Sequence, residues 1–401
     1  MTLSARDIET AARTLHGQIV RTPLVGSPRL SALLGAELLF KLESQQYTGS
    51  FKDRGACCKL QQLRQQATPC AGVIAASAGN HAQGVAFHAR RLGIPALIVM
   101  PQTTPFSKVE RTELLGAAIV LHGASLSEAY EHAQVLAGQK GLALVHPYDD
   151  PAIVAGQGTV GLEMLADRPD LDVLVVPIGG GGLIGGIALW AKAQRPSIRV
   201  IGVQSELCPS MHAARRGQTV PLRTGTIADG IAVKVPGVLT RTLVQQLVDD
   251  IVLVSEAAIE RGMQLLLDQQ KIVAEGAGAA AFAAVLADPA PFAGNKVGIV
   301  VSGGNVDARL LSTVLLRGLQ RDGKIARVRI DIDDSPGVLS RVARLIGSSG
   351  ADIIDIEHQR LFSAVLPRQA ELDVVMETRG RAHVERILQD LAGDGFQARP
   401  F

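Results

Sequence analysis

The chain has 401 residues, of which 47% are hydrophobic and 19% charged, a composition that builds a core and excludes wholesale disorder. Forty basic against 38 acidic residues leave a formal charge of +2, and aromatics make up 3%, so neither an electrostatic footprint for nucleic acid or anionic membrane nor a base-stacking platform is present. The 42 glycines cluster rather than recur with a period, which excludes collagen-like and repeat architectures.

Residues Met1 to Gly17 place Ile8, Ala11, Ala12 and Leu15 at helical spacing with Asp7 and Glu9 between them, which predicts a surface helix rather than an export signal. From about residue 37 to 320, short apolar runs alternate with longer segments of helical spacing. The runs are Leu38–Leu42, Val73–Ala76, Ala96–Met100, Ala118–Leu121, Val173–Val176, Val200–Val203 and Val297–Val301. Continuous apolar strands are buried on both faces, and helices between them make crossovers, so an α/β fold with two lobes of mostly parallel sheet is expected. The longest apolar run, Gly276–Ala287, is 12 residues, short of the roughly 18–20 that span a bilayer. Cys57, Cys58, Cys70 and Cys208 form no C-x-x-C pair, and no histidine stands at zinc spacing. Free thiols, a cytoplasmic location and no metal centre are the expectation.

Character changes near residue 321, where Arg321-Asp322-Gly323-Lys324 reads as a linker. A strand (Ala326–Ile332), a turn (Asp333–Gly337) and a helix (Val338–Ser348) follow. Then come strands over Asp352–Leu361 and Gln369–Glu377, a helix (Ala382–Leu391) and a short strand within Phe396–Phe401. The order βαββαβ is ferredoxin-like, and it predicts a separate small domain over residues 321–401 after a domain over residues 1–320.

Five segments carry candidate chemistry. In Ser50-Phe51-Lys52-Asp53-Arg54-Gly55, a lysine opening a helix lies at the positive end of the dipole, which favours a neutral, nucleophilic amine able to bond an aldehyde; a surface lysine is the plain alternative. Ser77-Ala78-Gly79-Asn80-His81-Ala82-Gln83-Gly84 follows a strand. Its small residues admit a ligand and the next helix offers N–H groups to a carboxylate or phosphate, unless Ser77 only caps the helix and His81 is structural.

Gly179-Gly180-Gly181-Gly182-Leu183 joins a strand to a helix, and its successive N–H groups make a nest for phosphate. Gly180, Gly182 and Gly185 also fit a dinucleotide fingerprint, but Gln204 stands where an acidic residue would end the next strand. Ser302 in Ser302-Gly303-Gly304-Asn305 could bond a ring nitrogen or cap a helix. Glu275, ahead of an alanine-rich helix, is either a cap or a site residue.

Together S-F-K-D-R-G-A at 50–56, S-A-G-N-H-A-Q-G at 77–84, G-G-G-G-L at 179–183, T-I-A-D-G-I-A-V-K at 226–234, E-G-A-G-A-A at 275–280 and S-G-G-N-V-D at 302–307 resemble the fold-type II pyridoxal-phosphate enzymes, and among them the threonine dehydratases (threonine ammonia-lyases). The tail, through Asp334-Ser335-Pro336-Gly337-Val338-Leu339, resembles an ACT domain. The resemblance implies pyridoxal 5'-phosphate as cofactor, with Lys52 as the Schiff-base lysine and the base for the α-proton. It implies that Phe51 packs near the ring, Asn80 binds the ring oxygen, Gly179, Gly180, Gly181, Gly182 and Leu183 hold the phosphate, and Ser302 faces the ring nitrogen. Ser77, Ala78, Gly79, Asn80 and His81 would take the substrate carboxylate.

The implied reaction is deamination of L-threonine, and of L-serine, by elimination of water, giving 2-oxobutanoate or pyruvate and ammonia, with a place in isoleucine biosynthesis. An amino-acid effector at the ACT domain and a homodimer or homotetramer are implied as well. Serine racemase and hydroxyaspartate dehydratase share the fold, and a nicotinamide-dependent oxidoreductase is the competing class. Ala78 stands where a racemase would carry a proton-transferring serine, and Gln204-Ser205-Glu206 is a poor match to a racemase-like metal site.

Overall fold

The computed structural model describes residues 3–66, 70–219, 225–359 and 369–401. The chain divides into two compact units, residues 1–306 and residues 307–401. No helix among the described residues is long and apolar enough to cross a membrane.

The larger unit opens with the helix Ala5–Leu15, started where the Asp7 carboxylate accepts the Ser4 N–H at 2.8 Å and burying Ile8, Ala11 and Leu15. The unit contains two sheets. The six-stranded sheet runs in the order Leu24–Gly26, Glu37–Leu42, Lys296–Val301, Val173–Pro177, Arg199–Ser205, Asp250–Val254, parallel throughout except for the first pair. The four-stranded sheet, ordered Ala118–Leu121, Ala96–Met100, Val73–Ala76, Ala143–Leu144, is wholly parallel.

The seven apolar runs are all strands, as expected of sequences buried on both faces. Three further strands were not anticipated. Leu24–Gly26 and Ala143–Leu144 are too short to show a pattern, and Asp250–Val254 begins on an acidic residue between two helical segments. The strands Val73–Ala76, Val173–Pro177 and Lys296–Val301 end in the three Gly- and Ser-rich turns, where parallel sheets expose backbone to ligands.

The helix Lys52–Arg64 is anchored by one buried charge network. The Arg54 guanidinium, fully buried, donates to Glu43 at 2.7 and 2.8 Å and to Glu163 at 2.8 Å, while the Lys41 amine donates to Glu163 at 2.5 Å and to the Thr22 carbonyl at 2.7 Å. Paired and multiply hydrogen-bonded, these charges lock the first helical turn to two neighbouring elements.

In the smaller unit the helix Ala308–Arg321 packs on the strand Ile325–Asp333, so the division lies ahead of the charged Arg321–Lys324 segment that the sequence marks as a linker. The rest has the order βαββαβ. Its antiparallel sheet runs Asp352–Gln359, Gln369–Glu377, Ile325–Asp333, Gln397–Pro400, and the helices Val338–Ser348 and Arg381–Gly393 bury Val342, Ile346, Ile387 and Leu391 against Val328, Ile330, Leu372 and Val374. The end of the strand expected over Asp352–Leu361 lies outside the described residues.

Candidate active site

Residues 49–51 are zipped onto the turn after the strand Lys296–Val301. The Phe51 N–H donates to the Ser302 carbonyl at 3.0 Å, Gly304 N–H to Gly49 carbonyl at 2.9 Å, and Ser50 pairs with Gly303. That pairing starts the helix at Lys52 and turns its side chain inward. The amine donates to the Pro147 carbonyl at 2.7 Å and lies 5.1 Å from the centre of the Phe51 ring. Burial lowers its pKa from 10.5 to about 8, opposed by the Glu275 carboxylate. A carbonyl partner does not hold the proton as a carboxylate would, so the amine is poised toward its neutral form.

The four glycines form the turn into the helix Gly182–Gln194, whose N-cap Gly181 has φ of 95°. Across them lies Tyr148. A Cβ at Gly180 would fall 2.2 Å from Cγ of the Tyr148 ring, and one at Gly182 would fall 3.1 Å from the Tyr148 carbonyl oxygen. A Cβ at Gly179 would meet Val233 at 3.2 Å, and the Gly180 carbonyl accepts the Thr240 hydroxyl at 2.6 Å. Leu183, buried, begins the helix behind this turn.

The segment 146–150 escaped the sequence reading although it ties the site together. Pro147 holds the Lys52 amine; Tyr148 covers the glycines and donates its hydroxyl to the Val235 carbonyl at 2.8 Å. The Asp149 carboxylate accepts the N–H groups of Val238 at 2.9 Å and Thr240 at 3.1 Å. Asp150 caps the helix Pro151–Asp167 and pairs with Lys59 at 2.6 Å. The acting groups are largely backbone or cap contacts; His146-Pro147-Tyr148-Asp149-Asp150 reads locally as an ordinary turn before a helix.

In the turn after Val73–Ala76, Ser77 does not cap the helix Asn80–Leu92. Gly79 is the N-cap, and the Ser77 hydroxyl accepts the Gly79 N–H at 3.2 Å. Ala78 and Gly79 are half-buried beside it. The buried His81 ring donates Nε2–H to the Val145 carbonyl at 2.9 Å, since a carbonyl only accepts, and burial with the nearby Lys52 charge drops its pKa to about 3. His81 therefore stays neutral.

The Asn80 amide donates to Glu275 Oε1 at 2.7 Å and accepts from Asn305 at 2.8 Å. Glu275 holds the N-cap position of the helix Gly276–Ala287 but makes no side-chain cap bond, so the cap reading of that residue does not hold. Ser302 is not a helix cap either: the next helix starts at Ala308 on Asp307, and the buried Ser302 hydroxyl donates to the Ala277 carbonyl at 3.4 Å. Gln204 is engaged with the Ile178 carbonyl at 3.3 Å and the His212 N–H at 2.9 Å, so its side chain is not free for a ribose as a dinucleotide site would require.

Contacts link these segments: Phe51 bonds Ser302, Lys52 bonds Pro147 next to the Tyr148 that lies against Gly180 and Gly182, and Asn80 bonds the Glu275 that lies against Gly303. Their features suit an aldehyde-bearing phosphate ester: an amine shifted toward neutrality, a Cβ-free turn at a helix N-terminus, and a Ser50 hydroxyl buried with no hydrogen-bond partner among the described residues.

The model of the pyridoxal-phosphate dependent enzymes matches residues 15–303. The chain is 44% identical to the L-threonine ammonia-lyase of Thermotoga maritima over 399 residues, 99% of each chain. Among solved structures, maize serine racemase superposes with a TM-score of 0.74 at 36% identity, covering 80% of this chain and 99% of that one. The processed form of threonine deaminase isoform 2 from Solanum lycopersicum gives 0.73 at 36% identity, covering 79% and 87%. The chain belongs to the pyridoxal-phosphate dependent enzyme family, with pyridoxal phosphate as its cofactor.

Proposed function

We propose that the chain deaminates L-threonine, and also L-serine, by eliminating water, giving 2-oxobutanoate or pyruvate and ammonia. The observation that carries this is the Lys52 amine, lowered to about 8 and held on the Pro147 carbonyl beside the tetraglycine turn. The choice of substrate is supported by the full-length likeness to an L-threonine ammonia-lyase.

Lys52 would hold the cofactor's aldehyde carbon, the N–H groups from Gly179 to Leu183 its phosphate, Phe51 the face of its ring, Asn80 its ring oxygen and Ser302 its ring nitrogen. Bound there, the cofactor supplies the electron sink for negative charge at the substrate α-carbon. The protein's residues select which bond breaks. Backbone N–H groups of the 77–81 turn, at the start of the helix Asn80–Leu92, orient the substrate carboxylate. The Lys52 amine, once free and neutral, accepts the α-proton. Ser302 is a neutral hydroxyl and does not hold a ring nitrogen protonated as a carboxylate would; negative charge is therefore spread less widely, which favours prompt loss of the β-hydroxyl. The enamine released hydrolyses to the oxo acid and ammonia.

The likeness to maize serine racemase raises a second reading. Racemisation needs a proton donor on the opposite face of the α-carbon, and the methyl group of Ala78 cannot serve. Elimination is the favoured outcome.

The small unit, with its βαββαβ order and Asp334–Leu339 segment, is read as an ACT domain that binds an amino-acid effector and assembles a homodimer or homotetramer. The four cysteines, all unpaired, fit a cytoplasmic enzyme. The assay that tests the activity compares oxo-acid release by the purified holoenzyme from L-threonine, L-serine and 3-hydroxyaspartate. Release of 2-oxobutanoate at the highest rate supports the proposal; no oxo acid from L-threonine overturns it.

A further inference from the structure

Glu275 is a buried carboxylate, 6% exposed, and its hydrogen-bond partners are amides rather than a cation. Burial, then the Asp229 charge, raise its pKa to about 7. Such a group weakens a fold unless it serves something else. It does not cap its own helix.

The partners form a closed ring. Glu275 Oε1 accepts the Asn80 side-chain N–H at 2.7 Å; the Asn80 carbonyl oxygen accepts the Asn305 side-chain N–H at 2.8 Å; the Asn305 backbone N–H returns to the Glu275 carboxylate. Asn305 also donates to the Thr48 carbonyl at 2.6 Å, which fixes its amide. The slot is kept open by glycine: a Cβ at Gly303 would fall 2.4 Å from Glu275 Oε1 and 3.3 Å from Asn80 Nδ2, and one at Gly278 would fall 2.1 Å from the Gly303 carbonyl oxygen.

Glu275 Oε1 accepts from the –NH2 end of Asn80, and the –NH2 end of Asn305, itself fixed by the Thr48 carbonyl, occupies the Asn80 oxygen end. Of the two Asn80 N–H groups one is spent on Glu275, leaving a single N–H of fixed direction. We infer that Glu275 is a positioning residue: with Asn305 it locks the Asn80 amide so that one N–H is presented to the cofactor and the amide cannot flip. This rests on the reading of Asn80 as a cofactor-binding residue.

The test titrates pyridoxal 5'-phosphate into the full-length protein freed of cofactor and reads the dissociation constant, with circular dichroism confirming the fold of each variant. Glu275→Leu weakens cofactor binding about tenfold, the loss of one well-placed hydrogen bond, and Glu275→Gln, which restores an acceptor for Asn80, stays within about threefold of the parent. In an Asn80→Ala background, Glu275→Leu adds less than about twofold, because the residue acts through Asn80. Full additivity of the two losses, or parent affinity in Glu275→Leu, overturns the lock. Parent affinity in Asn80→Ala alone overturns instead the assignment of Asn80, and the inference with it. Should Glu275→Leu not fold, Asn305→Ala in the same two backgrounds is read in its place, with the same outcomes.

Discussion

At Lys52 the sign of the pKa shift decides what pH does. Burial lowers the amine from 10.5 to about 8, so the neutral, nucleophilic form grows as pH rises through that value and is scarce well below it. The rate at which the cofactor-free protein captures pyridoxal phosphate should rise with pH to a plateau above about 8, as followed by stopped-flow absorbance; a rate flat between pH 6 and 9 would contradict it. Ala78 supports a second residue-scale prediction. Ala78→Ser places a proton-transferring hydroxyl where the parent has a methyl, and the ratio of L-serine racemisation to deamination should rise by at least about tenfold, within the range general acid–base groups contribute. Chiral chromatography of the reaction would show it; an unchanged ratio would mean that residue 78 does not face the α-carbon. Lys52, Asn80 and the glycines stand out in the sequence as candidates because the chemistry proposed for them sits in their own side chains or in the lack of one. Pro147 does not, since its contribution is a backbone carbonyl, and no side-chain pattern announces which carbonyl the fold turns toward an amine 95 positions away in the chain.

At the scale of elements, two turns set the geometry. The first turn of the helix Lys52–Arg64 depends on Arg54, whose guanidinium neutralises Glu43 and Glu163 in a buried network. Arg54→Ala leaves both carboxylates buried without it and should cost about 3–5 kcal/mol, read from urea unfolding of the cofactor-free protein. A loss below about 1 kcal/mol would show the network to be dispensable. The tetraglycine turn depends on conformation: Gly181 at φ of 95° also has Met211 at 2.7 Å and Thr240 at 2.9 Å from where a Cβ would stand. Gly181→Ala combines left-handed strain with a clash, so it should lower stability by about 1–3 kcal/mol and weaken cofactor binding together. Strands buried on both faces were readable as unbroken apolar runs. The edge strands Leu24–Gly26 and Ala143–Leu144 were not, because two or three residues carry no period and exist only through pairing with a longer neighbour. The Ser77 and Ser302 cap readings failed for a related reason: a serine after a strand satisfies helix-cap statistics, and only the position at which each helix begins, Asn80 and Ala308, decides otherwise.

At the scale of the whole molecule, labour is divided between the two units under the proposed function. All the candidate site residues lie in residues 1–306, whereas residues 307–401 hold their own core of Val328, Ile330, Leu372 and Val374. Under that proposal, amino acids added one at a time to the full-length enzyme should include one that shifts the L-threonine saturation curve, and an Asp334→Ala variant should blunt that shift; identical curves with and without each amino acid would remove the regulatory reading while leaving the deaminase intact. The claim on which all of this rests is the covalent attachment site. Borohydride reduction of the holoenzyme followed by peptide mass spectrometry tests it directly: the account predicts a pyridoxyl group on Lys52 with loss of the chromophore, and a label on any other lysine, or none, would contradict it.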